Sequence, residues 1–327
     1  MERAQFVVIL LASLGIAATQ ASGQELAAAA ASPEKLAKFV ETHNDFSWQP
    51  LWNALNIHDA EIFLPMCEED TEGVLGCSAE LIRVDDPPQT IVVLEHKDSG
   101  FQVFLRYQRT GKDAWQFAGA FAPLAKYFRL EHRITRLGRK PFLVTTSQGI
   151  SGTGLSSKIE CWIDLTRRKF EPVFDVPAEG HYYPFPNGIA RETRGKVVSL
   201  AAIPVERITV AFHVDFELYE DGPAGNEREV GLAERSDTVV FARGSQGNFK
   251  IDPRLSTATE QQVDDVYDIN DDPDVSNKEF LKFNLKELSA IAGRKTDARR
   301  AWLIKFLQNC PDTLESRKLK ALVASAR

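Results

Sequence analysis

The amino-acid sequence predicts an α+β protein: a large antiparallel β meander, barrel-like or sandwich, with short N-terminal helices before it and a C-terminal group of three short helices after it. Three observations carry this prediction. From about Ala79 to Ile251 apolar residues recur with period two, in short runs separated by Gly, Asp and Ser turns, which is the pattern of consecutive hairpins. No helical pattern interrupts those runs, so nothing supports parallel β/α units. From Ser276 onward the apolar spacing lengthens to that of amphipathic helices.

The chain has 327 residues, 43 % apolar and 26 % charged, with a net charge of −7. That balance belongs to a folded domain rather than to a disordered or polytopic membrane chain. Acidity argues against nucleic acid as the partner, because neutralising phosphates needs a basic surface. The average hides a local asymmetry: residues 260–279 carry eight acids against one base, and residues 280–327 eleven bases against four acids. Arg3, the apolar run from Phe6 to Ala18 and the small-residue exit Thr19-Gln20-Ala21 read as a secretory signal peptide, residues 1–21. No later run approaches the ~20 apolar residues of a membrane-crossing helix. A secreted or periplasmic location, with no span left after signal cleavage, is therefore expected.

Export permits disulfides. Cys67 and Cys77 flank the polar loop Glu68 to Gly76, and a disulfide between them is expected, worth on the order of 3 kcal/mol by loop entropy. Cys161 and Cys310 are left as a second pair or as two buried thiols. With no Cys-x-x-Cys, a structural zinc knuckle or a thioredoxin-like motif lacks support.

Element by element, Ala27 to Ala31 are expected to form a mobile start to the mature chain. Ser32-Pro33-Glu34 opens a helix, with Ser as cap, Pro in the first position and an acid in the first turn. Leu51 to Leu55 reads as a second short helix. Strands follow at Ile91–Leu94, Phe101–Tyr107, Trp115–Phe121, Tyr127–Ile134, Phe142–Thr146, Lys158–Leu165 and Phe170–Val176. The clearest is Ile208 to Tyr219, where Ile208, Val210, Phe212, Val214, Phe216 and Leu218 alternate with Thr209, Ala211, His213, Asp215, Glu217 and Tyr219. One face of that strand is apolar and the other wet. Thr238–Ala242 closes the series. A helix follows the capping-box spacing of Ser276 and Glu279 and stops at Gly293. A second starts at Thr296 or Asp297, and a third has Asp312 and Glu315 in capping-box spacing. The resulting division is 22–78 for the N-terminal helical segment and cysteine loop, 79–252 for the β domain, 253–275 for an acidic linker and 276–327 for the helical region.

Four features carry candidate chemistry. Asp268, Asn270, Asp272, Asp274, Ser276 and Glu279 occupy alternate positions and the last position of a twelve-residue loop. This spacing resembles the EF-hand calcium loop, whose staggered oxygens suit a hard cation. Pro273 stands where that family uses glycine, and proline cannot adopt the positive φ of a sharp turn. The alternative is an acidic linker ending in a capped helix. His213, Asp215 and Glu217 share one strand face and form either a metal-binding trio or an ordinary wet face. His181, Tyr182, Tyr183 and Phe185 form an aromatic Pro/Gly-rich segment, suited to stacking a ligand or to plugging one end of the sheet. Ser147 to Gly154 reads as a flexible hairpin loop, lacking the spacing of a phosphate loop or nucleophile elbow.

No catalytic residue is assigned, and no cofactor motif appears beyond the calcium-like loop. The expected function is non-catalytic binding of an envelope or extracellular ligand or protein. The alternatives are a secreted hydrolase using His181, His213, Asp215 or Glu217, and a structural protein whose C-terminal region is ordered by a cation.

Overall fold

The computed structural model describes residues 24–43, 48–57, 77–96, 101–112, 114–123, 130–152, 154–183, 189–221, 227–268 and 277–326. Residues 1–21, read above as a signal peptide, Cys67, Phe185 and residues 269–276 of the calcium-like loop lie outside the described residues. The chain adopts the expected α+β antiparallel architecture. Four strands, β1 (Cys77–Asp85), β2 (Pro88–His96), β3 (Gln102–Arg109) and β4 (Trp115–Phe121), form one sheet in chain order. Eight more form a second sheet, again in chain order: β5 (His132–Leu137), β6 (Lys140–Gly152), β7 (Leu155–Asp164), β8 (Pro172–Tyr182), β9 (Ile189–Ala201), β10 (Arg207–Asp221), β11 (Glu227–Arg243) and β12 (Phe249–Ile251). Two compact units result, one of Met1–Ser147 with Cys161–Val173, the other of Gln148–Glu160 with Phe174–Arg327.

In the first unit the four-stranded sheet is covered on both faces. Val92, Leu94, Val103 and Leu105 pack on helices α1 (Pro33–Thr42) and α2 (Trp48–Leu55) through Leu36, Phe39, Val40, Leu51 and Trp52. Ile91, Val93 and Phe104 pack on Leu143 and Ile163 of the facing strands. Burial on both sides explains why Ile91-Val92-Val93-Leu94 is an unbroken apolar run rather than an alternating one. Ser32 caps α1 as expected, accepting the Lys35 N–H at 3.3 Å. The stretch read as a mobile start is corrected. Residues 24–29 are helical, Leu26, Ala29 and Ala30 are buried, and the Tyr107 hydroxyl donates to the Ala30 carbonyl at 3.0 Å. Alanines suit both a mobile tail and a closely packed helix, and Leu26 with Tyr107 decides for packing.

In the second unit the apolar face of β10 is buried as predicted, with Ile208, Val210, Phe212, Val214, Phe216 and Leu218 all at most 5 % exposed. Phe212 stacks on Tyr267 (ring centroids 4.9 Å apart), and Phe216 meets Phe280 edge-on at 5.3 Å. Tyr267 ends a short helical segment, α3 (Glu260–Gln262) continuing as a π-turn over Val263–Tyr267. Four further helices follow: α4 (Asn277–Phe283), α5 (Leu285–Gly293), α6 (Arg299–Gln308) and α7 (Leu314–Ser325).

Strand β9 was absent from the predicted series. Its Arg191 lies on the apolar face yet is buried, because its Nη1 donates to the Asp265 carbonyl at 3.0 Å. Helix-end carbonyls thus receive a charge that the sequence pattern would place in solvent. Ser147 to Gly152 is not a loop but the end of β6, with the turn only at its far end. The single helix expected to end at Gly293 is broken at Asn284, whose buried side chain donates to the Phe280 carbonyl at 3.1 Å, a local bond that competes with the helical ladder. The last helix is capped by Thr313 with Ser316, not by Asp312 with Glu315.

Gly195 of β9 opposes Phe212. An added Cβ would run into the Pro177 carbonyl oxygen and lie 2.9 Å from Phe212 Cε1. Gly195→Ala is expected to cost about 1–3 kcal/mol by overpacking. Thermal denaturation checks this, and an unchanged melting temperature would mean that β8 gives way freely.

Candidate functional site

The polar face of the second unit's sheet is built by register. Across β8, β9, β10 and β11, Glu179 opposes Arg194, Arg194 opposes His213, and His213 opposes Ser236. The next rung on the same face reads His181, Glu192, Asp215, Glu234. Neighbouring strands lie about 4.8 Å apart, so opposed side chains meet. Two rungs thus gather five acids and bases of the central strands, with two histidines, on one surface.

His213 is the centre. Its Nε2 lies 3.1 and 3.2 Å from the two Asp215 carboxylate oxygens and 3.8 Å from Glu234 Oε1. Its Nδ1 lies 2.9 Å from Ser236 Oγ. One ligand atom from each of His213, Asp215 and Glu234 falls within 4.8 Å of the others. His213 and Asp215 are half-buried and Glu234 is exposed, so the group is both held in place and open to solvent.

The second histidine makes a different arrangement. His181 Nδ1 lies 3.3 Å from Glu192 Oε1, the Tyr183 hydroxyl donates to the same oxygen at 3.4 Å, and Arg194 donates to Oε2 at 3.2 Å. Glu192 therefore meets three donors. Lys158 pairs with Glu179 at 2.8 Å. This rim is satisfied by its own charges.

Next to the His213 group a bulge interrupts β11. Phe216 pairs with Ala233 and Glu217 with Gly231, leaving Leu232 as the extra residue. The bulge borders a cavity of about 370 Å³ whose lining includes Asp215, Glu217, Glu234, Glu287 and Arg299. Arg299 donates to both Asp297 oxygens and, at 2.7 Å, to the Gly231 carbonyl. Asp297 lies below its ordinary range, chiefly through the hydrogen bond from Arg299. With its one cation already paired, the cavity has an acidic lining.

Of the aromatic segment, His181 and Tyr183 converge on Glu192, while Tyr182 opposes Arg191 and belongs to the other face. Glu217 shares the face of His213 and Asp215 but opposes Gly231, and Glu234 from the next strand completes the group in its place. Of the calcium-like loop, Asp268 ends the π-turn by donating its N–H to the Val263 carbonyl, and Glu279 stands in the first turn of α4; Asn270, Asp272, Asp274 and Ser276 lie outside the described residues. Cys77 is buried at the start of β1, and its expected partner Cys67 lies outside them too. Cys310 is buried, and burial pushes its thiol up to about 11, which keeps it in the unreactive protonated form.

No helix among the described residues is long and apolar enough to cross a membrane. No family model, curated protein or solved structure matches the chain.

Proposed function

We propose that this chain is an exported, non-catalytic binding protein whose polar sheet face holds a divalent transition-metal ion on His213, Asp215 and Glu234. The observation that carries this reading is the approach of His213 Nε2 to oxygens of two carboxylates at 3.1–3.8 Å. Ligands bonded at ~2.0–2.1 Å to a tetrahedral ion stand ~3.3 Å apart; His213 and Asp215 have that spacing, and Glu234, exposed at 3.8 Å, needs only a small side-chain movement to join them. Imidazole with carboxylates suits a zinc-class ion rather than calcium, which prefers an all-oxygen shell. Ser236 supports the same reading. With Nε2 on the metal, Nδ1–H donates to Ser236 Oγ, which fixes the ring and its tautomer. Three protein ligands leave a position open toward solvent, where a ligand of the exported protein can complete the shell.

Zinc titration by calorimetry on the full chain tests the proposal. One equivalent is expected to bind. His213→Ala and Glu234→Gln should abolish the site, Ser236→Ala should weaken it about tenfold, and Glu217→Gln should leave it in place. Absence of zinc binding at millimolar concentration, or equal binding by the Glu234→Gln variant, would overturn it.

A further inference from the structure

The first unit carries a separate groove of about 880 Å³. Its walls come from the first turn of α1, the β1–β2 hairpin and the β3–β4 hairpin, and Lys35, Arg83, Arg109, Lys112 and Trp115 line it. Two acids, Glu34 and Asp85, also border it, so cations prevail four to two. Lys35, Arg83 and Lys112 are exposed and make no ion pair among the described residues. Arg109 is fixed differently: its Nε donates to the Gly111 and Lys112 carbonyls at 3.1 and 3.0 Å, and its guanidinium sits 5.9 Å from the Trp115 ring centre. The groove thus combines exposed cations with one cation–aromatic platform held by backbone carbonyls. Gln89 forms part of the lining. Its Nε2 donates to the Leu165 carbonyl at 3.1 Å, while its buried Oε1 has no donor among the described residues.

We infer that this groove binds an acidic oligosaccharide, a chain of sugar rings bearing carboxylates. The volume lies within the range of small-ligand sites, ~300–1,000 Å³. Cations answer the carboxylates. The half-exposed Trp115 ring offers an apolar surface with a polar edge against which a sugar ring can lie.

An acidic peptide fits less well. Extended peptides are held mainly by adding a strand to a sheet edge. This groove instead crosses the ends of the hairpins, where Arg83 pairs with Thr90, Val84 with Gln89, Gln89 with Gln108, and Arg109 with Trp115. The β2 and β3 backbone there is paired on both sides, so across the middle of the groove recognition falls to side chains.

Calorimetric titration of the full chain with a short oligogalacturonate tests this, with a neutral malto-oligosaccharide and poly-glutamate as comparators. The acidic sugar is expected to bind and to weaken as salt is raised. The double variant Arg83→Ala/Lys112→Ala should lose at least tenfold in affinity with its melting temperature unchanged, Trp115→Ala should weaken binding similarly, and His213→Ala should have no effect. The inference is overturned by no binding at millimolar sugar, by equal binding of the neutral sugar, by poly-glutamate binding as tightly, or by a double variant that binds like the parent.

Discussion

Asp237→Ala is expected to remove about 3–5 kcal/mol from the stability of the second unit, the scale of breaking a buried ion pair from one side. Asp237 lies on β11 with 9 % of its surface exposed. Its Oδ2 accepts from Arg235 Nε at 2.6 Å and from the Tyr267 hydroxyl at 2.7 Å, and its Oδ1 from Thr257 at 2.9 Å. Removal leaves a half-buried guanidinium and a buried phenol without their acceptor. Tyr267→Phe deletes only one donor and should cost about 1–2 kcal/mol. Burial alone would raise the Asp237 pKa. The hydrogen bonds from Arg235, Tyr267 and Thr257, with the Arg235 charge, outweigh it and hold the carboxyl below its ordinary value. A depressed folded pKa contributes stability that is complete above the unfolded value, about 3.9, and is lost as pH falls through the folded one. Urea unfolding of both proteins across that range checks the sign. The difference between wild type and Asp237→Ala should be full at neutral pH and shrink below about pH 4. A difference that stayed constant into strong acid would show that the carboxylate charge is not what Asp237 contributes.

This network sits beneath the proposed metal group. Asp237 opposes Phe212, and its neighbour Ser236 opposes His213. It therefore anchors the segment of β11 that brings Glu234 and Ser236 to His213, and Asp237→Ala should also loosen zinc binding.

How much of this was legible depended on whether the pattern was local. The alternation from Ile208 to Leu218 gave the strand, its buried face and the shared face of His213 and Asp215, because period two acts within one strand. Glu234 was out of reach for a different reason. Continuing the ladder from the Glu217–Gly231 pair would set Asp215 against Ala233 and turn Glu234 to the apolar face. The extra residue at Leu232 shifts the register by one, and a shift of one reverses every side chain beyond it. Nothing in Gly231-Leu232-Ala233 announces a bulge except the glycine. Strand β9 failed for a similar cause: Arg191 looks like a surface residue until the carbonyl of Asp265, far away in sequence, is placed over it. The groove of the first unit was equally hidden, since it joins two hairpins and a helix turn whose cations are scattered along the chain.

Arg106→Met is expected to destabilise the first unit by roughly 3 kcal/mol and to release residues 165–170. Arg106 is wholly buried on β3, on the side of the sheet that carries Phe104. Its Nη1 donates to the Arg167 carbonyl at 2.9 Å, and its Nη2 to the Arg168 carbonyl at 2.6 Å and the Ala118 carbonyl at 3.4 Å. The guanidinium lies 5.1 Å from the Phe170 ring centre. Burial lowers its pKa and the charge of Asp164 opposes that shift, so the cation is retained at a desolvation cost that the carbonyls offset. Hydrogen bonds from a charged donor contribute about 1.5–3 kcal/mol each. Against their loss stands the relief of that desolvation, which brings the net to the figure above. The site should be sensitive to shape as well as charge: Arg106→Lys should rescue little, because one ammonium cannot reproduce a planar fork spanning successive carbonyls. Arg167, Arg168 and Lys169 give a direct readout, since the freed segment becomes a trypsin substrate. Limited proteolysis should cut Arg106→Met and Arg106→Lys there well before the parent, with faster amide exchange in the same residues. Equal cleavage in all three proteins would mean that Phe170 and the Asp164 turn, rather than Arg106, hold the segment down.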